Sequence, residues 1–173
     1  MLPSMTLPLP ITPADALSQI VRPALALLPP NLDTRRARVL LVAIALQESG
    51  LAAREQAGGP ARGLWQFERG VGSAGVNGVL THPASAALLR ALCAVRGVPA
   101  TSYAIYMSIG GDDLLACGLA RLLLLTDPAP MPALGDADAA WHCYVRNWRP
   151  GKPRPDAWPT HYNAALTLEA DNA

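Results

Sequence analysis

Charge is scarce in this 173-residue chain: 16% of its residues are Asp, Glu, Lys or Arg against 51% hydrophobic, and the net charge is +1. No run of Lys or Arg is long enough to track a phosphate backbone, so nucleic acid is not an expected partner. Arg35, Arg36 and Arg38 form the densest cationic group and read as the solvated first turn of a helix. Phe occurs once, while Ala and Leu dominate, which favours helices over sheets. His82, His142 and His161 are widely spaced and lack the HExxH pattern, which argues against a metallopeptidase; no metal or cofactor is expected. Cys93, Cys117 and Cys143 lack CxxC spacing. Reduced core thiols are the simplest reading, with one disulfide plus a free thiol as the alternative in an oxidising compartment. No stretch reaches the ~18 uninterrupted apolar residues that span a bilayer. The start, Met1 to Pro10, has no cationic residue and is broken by prolines, so neither a signal peptide nor a membrane anchor is expected there.

What is present fits one mainly α domain. The expected organisation is a proline-rich segment, 1–11, followed by a single domain, 12–173, containing a proline-rich stretch at 150–159 and a terminal helix. Thr12 with Pro13 predicts a helix start, with a kink or break at Pro23 and an end near Pro29–Pro30. Asp33 is the expected cap of a helix from Thr34 to about Gln47, apolar on every face from Val39 to Leu46. A helix without a polar stripe is one surrounded by the rest of its domain. Gly50 is its natural terminator. Residues 57–78 are too rich in glycine for a helix and read as a loop and short-hairpin region, with Leu64 to Phe67 as a strand-like run. Helices are expected again from Pro83 to Arg96, Thr101 to Ser108, Asp112 to Leu125, Asp136 to Arg146 and Trp158 to Glu169.

Two segments carry candidate chemistry. In Ala45-Leu46-Gln47-Glu48-Ser49-Gly50, a carboxyl ends an apolar helix, where poor solvation disfavours its anion and raises its pKa. A carboxyl kept protonated in this way can give its proton to a glycosidic oxygen. Taken alone, a helix-end glutamate is more often solvated or salt-bridged. The second segment, Gly63-Leu64-Trp65-Gln66-Phe67-Glu68, adds an amide at Gln66 and flat faces at Trp65 and Phe67 that suit a sugar. A hydrolytic route needs a second carboxylate, roughly 5–5.5 Å away for retention or 6.5–9.5 Å for inversion. Glu55 and Glu68 are the candidates by position. A Cys-His nucleophile has no supporting local signature.

With these residues the chain resembles the lysozyme-like lytic transglycosylases, with the goose-type lysozymes as close relatives. That pattern has a Glu-Ser pair ending a buried helix, a Gly-Leu-Met-Gln type segment, and a late helix bearing a tyrosine. Glu48-Ser49 matches the first and Gly63-Leu64-Trp65-Gln66 the second, with Trp in place of Met. Tyr144, in Trp141-His142-Cys143-Tyr144-Val145-Arg146-Asn147-Trp148, aligns with the tyrosine of an Ala-Tyr-Asn-Ala-Gly segment from which this chain departs. The run from Gly59 to Glu68 is similar to a variant encoded by tailed phages and prophages. The resemblance spans about residues 34–151.

It implies a lysozyme-like helical domain around the central buried helix, acting on peptidoglycan glycan strands at the bond between N-acetylmuramic acid and N-acetylglucosamine. Glu48 would serve as the single acid and base, with Ser49, Gln66, Trp65 and Tyr144 binding substrate or orienting Glu48. A hydrolytic phage muramidase, and a virion structural or ejected protein with the same fold and little activity, are the alternatives. In each reading the protein would be made in the host cytoplasm and act at the periplasmic cell wall, either free or with phage virion proteins as partners.

Overall fold

The structure, a computed structural model, describes residues 6–171. Residues 1–5 of the proline-rich start, on which the expectation of no signal peptide partly rests, lie outside the described residues. The helices are α1 (Pro13–Asp15), α2 (Arg22–Leu25), α3 (Arg35–Ser49), α4 (Gly75–Thr81), α5 (Ala86–Arg96), α6 (Ser102–Ser108), α7 (Asp113–Leu125), α8 (Ala137–Trp148) and α9 (Trp158–Asp171). The fold is mainly α. Among the described residues there is no β-strand, and no single helix is long and apolar enough to cross a membrane.

Thr12 caps α1 by accepting the Asp15 amide at 3.1 Å, with Pro13 at the first helical position. The expected break at Pro23 takes the form of a π-helical stretch, Ala16–Val21, between α1 and α2. Proline has no N–H to give and crowds the carbonyl four residues back, and the wider π turn just upstream accommodates both.

α3 is buried on all sides from Val39 to Ala45, and each large aliphatic side chain there contributes about 1.5–3 kcal/mol by leaving water. Its cap is Thr34, whose hydroxyl accepts from the Ala37 amide at 3.2 Å, rather than Asp33. Asp33 is instead drawn 2.6 Å from Arg38, which also meets Glu169 of α9 at 2.6 Å. Arg38 is thus held between carboxylates, where a solvated turn was expected. The helix most extensively packed on α3 is α9.

α7 is the other buried helix. Asp112 caps it through the Leu115 amide at 3.0 Å and pairs with Arg96, while fully buried Asp113 is gripped by Arg54 at 2.6 Å. Charges this deep persist because each is paired and hydrogen-bonded.

The glycine-rich region holds the largest departures. α4 occupies part of what reads as loop, because Gly78 is placed by close approach: a Cβ there would sit 2.3 Å from the Ser73 carbonyl oxygen. The strand-like run Leu64 to Phe67 forms turns, with only the isolated bridges Glu55–Arg62 and Arg62–Phe67 nearby. α5 starts at Ala86, after Pro83, since the Ser85 hydroxyl turns inward to donate to the Val79 carbonyl at 2.7 Å. Cys93, Cys117 and Cys143 are all buried and unpaired.

Candidate functional site

The last turn of α3 sets the site. Gly50 adopts the left-handed conformation (φ 61°) and returns its amide to the Leu46 carbonyl at 3.0 Å, ending the helix two residues after Glu48. Leu51 follows with φ 56°, an unusual geometry for a side-chain-bearing residue, and its amide is received by the Ser49 hydroxyl at 3.2 Å. Ser49 also donates to the Ala45 carbonyl at 3.1 Å. The expected role of Ser49 in orienting Glu48 or binding substrate is therefore corrected: its hydroxyl closes the helix end.

Glu48 is half-buried and lines a cleft of ≈ 1080 Å³. Its Oε1 accepts a hydrogen bond of 2.6 Å from the Tyr144 hydroxyl. Desolvation raises the carboxyl pKa above the ordinary glutamate value, opposed by the Tyr144 hydrogen bond and by the positive charge of Arg154, and the net direction is upward. Burial, together with the hydrogen bond to Glu48, also pushes the Tyr144 phenol up, so it stays a donor at any physiological pH.

Tyr144 is fixed by other aromatic rings. It stacks on Trp158 (5.3 Å, 10°) and packs at a tilt against Trp141 and Trp148. The indole N–H of Trp148 donates to the Trp65 carbonyl at 3.0 Å, joining α8 to the turn that carries Gln66.

That turn packs on α7. Gly63 has φ 73° and lies so close to the end of α6 and to α7 that a Cβ would stand 3.0 Å from the Ile109 carbonyl oxygen and 3.4 Å from the Ala116 Cβ. Gln66, itself at φ 50°, lines the cleft and donates its amide to the Gly63 carbonyl at 2.8 Å, which leaves its side-chain oxygen as an acceptor. Phe67 also reaches the cleft. Trp65 does not. It has no exposed surface, and its indole N–H donates to the Leu41 carbonyl of α3 at 3.0 Å, so its expected sugar-binding role is corrected to packing.

The two candidate second carboxylates separate. Glu55 is outside the cleft lining and its exposed side chain lies 3.6 Å from Arg62, which removes it from the site. Glu68 is exposed and lines the cleft.

Several cleft residues went unnoticed in the sequence. Asp127 lines the cleft, but Arg146 at 2.7 Å, the Asn147 amide at 2.7 Å and the Ala129 N–H at 3.0 Å occupy its oxygens. Burial would raise its pKa, and those donors outweigh burial and hold it below the usual aspartate range. It is a fixed anion and a poor base. Arg154 donates to the Gln47 carbonyl, and Gln47 donates its side-chain amide N–H to the Arg154 carbonyl at 2.9 Å while its side-chain oxygen accepts from His161 Nδ1 at 2.8 Å. This network ties the segment after α8 to the end of α3.

The cysteines offer no nucleophile, since burial pushes the Cys93 and Cys143 thiols up to about 11. Among the described residues, no group of three or more His, Cys, Asp or Glu is placed to hold a metal ion. Comparison with protein-family models, curated proteins and solved structures returns no match to the chain. What the site can do chemically therefore rests on its own geometry: a half-buried carboxyl, held by a tyrosine, opening on a cleft of ≈ 1080 Å³.

Proposed function

We propose that the protein is a lysozyme-like lytic transglycosylase, of the kind encoded by tailed phages or prophages, which cleaves peptidoglycan glycan strands between N-acetylmuramic acid and N-acetylglucosamine. The observation that carries the reading is Glu48, half-buried at the end of α3, held by Tyr144 and facing the cleft. The protonated carboxyl gives its proton to the glycosidic oxygen as the bond to muramic acid C1 breaks. The resulting carboxylate then takes the proton of the muramic acid 6-hydroxyl, whose oxygen closes on C1. The products are a free 4-hydroxyl and a 1,6-anhydro end, and Glu48 is returned to its protonated form.

Tyr144 holds the carboxyl in line and stabilises its anionic form between the two steps. Gln66 offers its side-chain oxygen to an acetamido N–H. The occupied state of Asp127 and the displacement of Glu55 favour this single-carboxylate route. Glu68, which lines the same cleft, keeps hydrolysis by a muramidase as the second reading. The protein would be made in the host cytoplasm and act on the periplasmic wall, alone or among virion proteins.

The test is clearing of purified cell walls by the unmodified chain and by Glu48→Gln. Clearing lost in the variant, with the helical fold retained, supports the enzyme. Walls left intact by the unmodified chain point to a virion protein with little activity.

A further inference from the structure

The chain leaving α8 carries three cations, Arg149, Lys152 and Arg154, all exposed and all lining the cleft. Their partners differ. Arg154 is spent on the Gln47 carbonyl. Arg149 and Lys152 form no ion pair or side-chain hydrogen bond among the described residues. Nor do the cleft anions neutralise them, since Asp127 is consumed by Arg146 and Asn147, Glu48 is held by Tyr144, and Glu68 forms no ion pair with either cation. One wall of the groove therefore presents two unmatched positive charges.

Arg149 is also placed at a backbone cost. It caps α8 in the left-handed conformation (φ 49°, ψ 53°), returning its amide to the Val145 carbonyl at 2.9 Å. Glycine or asparagine fits that position with less strain, by about 1 kcal/mol. A long cation there is explained by what its side chain does. Pro150 and Pro153 restrict the backbone on either side of Gly151-Lys152, which limits how far the backbone carrying the two charges can wander.

We propose that Arg149 and Lys152 form a carboxylate subsite that takes the acidic stem peptides of the polymer bound in the cleft. The inference rests on the glycan reading above and deepens it. In the wall the muramic acid lactyl carboxyl is tied up as a neutral amide and the amino sugars carry no charge, so the glycan itself offers these cations nothing. Each stem peptide hung from that amide, by contrast, ends in free carboxylates. Guanidinium and ammonium groups pair with carboxylates through charge-assisted hydrogen bonds.

The test measures binding without turnover, in the Glu48→Gln chain. Retention is compared on insoluble walls bearing stem peptides, on the same glycan stripped of stems by an amidase with the lactyl carboxylates this frees capped as neutral amides, and on walls freed of linked phosphate polymers. We expect about tenfold weaker retention on stripped glycan, no change on phosphate-free walls, and loss of the stem-dependent difference when Arg149→Asn and Lys152→Ala are added. Asparagine keeps the left-handed turn, and circular dichroism confirms that the variant is folded. Equal retention with and without stems, or a stem preference that survives the added substitutions, overturns the subsite while leaving the glycan reading intact. Retention that follows the phosphate polymers instead also overturns it. Absence of binding to every wall preparation overturns both.

Discussion

The Tyr144 hydroxyl meets Glu48 Oε1 at 2.6 Å, across 96 positions of sequence. One group on α8 thereby fixes the rotamer of a carboxyl on α3, and the ring behind that hydroxyl is clamped by Trp158, Trp141 and Trp148. The pair combines opposed influences, because burial favours the neutral acid while Tyr144 and Arg154 favour the anion.

Removing the hydrogen bond should be visible in a pH profile. Tyr144→Phe deletes a contact that lowers the Glu48 pKa, so desolvation acts with less opposition and the pKa rises further. Since the acid form starts the reaction, the alkaline limb of kcat/KM should move to higher pH. The rate at the optimum should fall by roughly 10-fold or more as the carboxyl loses its alignment. An alkaline limb that stays in place or moves to lower pH would contradict the pairing.

Glu48 should also reduce the stability of the fold at neutral pH. Its pKa is higher folded than unfolded, so the folded state binds the proton more tightly and loses relative stability as pH rises through the folded value. Glu48→Gln removes that ionisation while still accepting from Tyr144. Thermal unfolding should show the variant stabilised by about 0.5–2 kcal/mol near pH 7, with the difference vanishing at acid pH, where both forms are neutral. A variant less stable than the parent at pH 7 would argue that the carboxylate is well solvated.

Asp127 should behave with the opposite sign. Its pKa is lower folded than unfolded, so the stability it contributes is present above the unfolded value and is lost as pH falls through the folded one. Asp127→Asn should cost about 1–2 kcal/mol at pH 7, discounted for the half-exposed Arg146, and little at strongly acid pH. Urea unfolding at the two pH values checks this.

Trp65 separates packing from catalysis. Trp65→Ala should destabilise by about 3–5 kcal/mol, because it empties a fully buried site between α3 and the Gly63 turn. Activity per folded molecule at low temperature should fall far less than in Glu48→Gln. A folded Trp65→Phe with normal stability and lost wall binding would restore Trp65 to the substrate site.

The residues legible in the sequence are those whose role is set locally. An all-apolar helix ended by Gly50 locates Glu48, and the cap residues Thr12, Thr101, Asp112 and Asp136 mark helix starts because their side chains close on amides three residues ahead. Local pattern could not tell which way Trp65 faces, since it sits between positive-φ Gly63 and Gln66, where side chains diverge without a period. Nor could it tell that Ser49 would be claimed by the helix end, since its bond to the Leu51 amide follows from the left-handed turn at Gly50 and Leu51. Glycine counts concealed α4, where Gly78 answers to the approach of Ser73 rather than to a turn. Arg154, Asp127 and Arg146 carry no local signature. Arg154 reaches the site by pairing with Gln47 over 107 positions, and Asp127 is held by the neighbouring side chains Arg146 and Asn147 of α8, contacts that exist only after folding.

The most direct test of the central claim is a mass spectrum of the fragments released from purified peptidoglycan by the unmodified chain, with the Glu48→Gln digest beside it. The account predicts 1,6-anhydromuramic acid ends, lighter by one water than hydrolysed ends, from the unmodified chain and none from the variant. The same fragments from both proteins, or none from either, would contradict it.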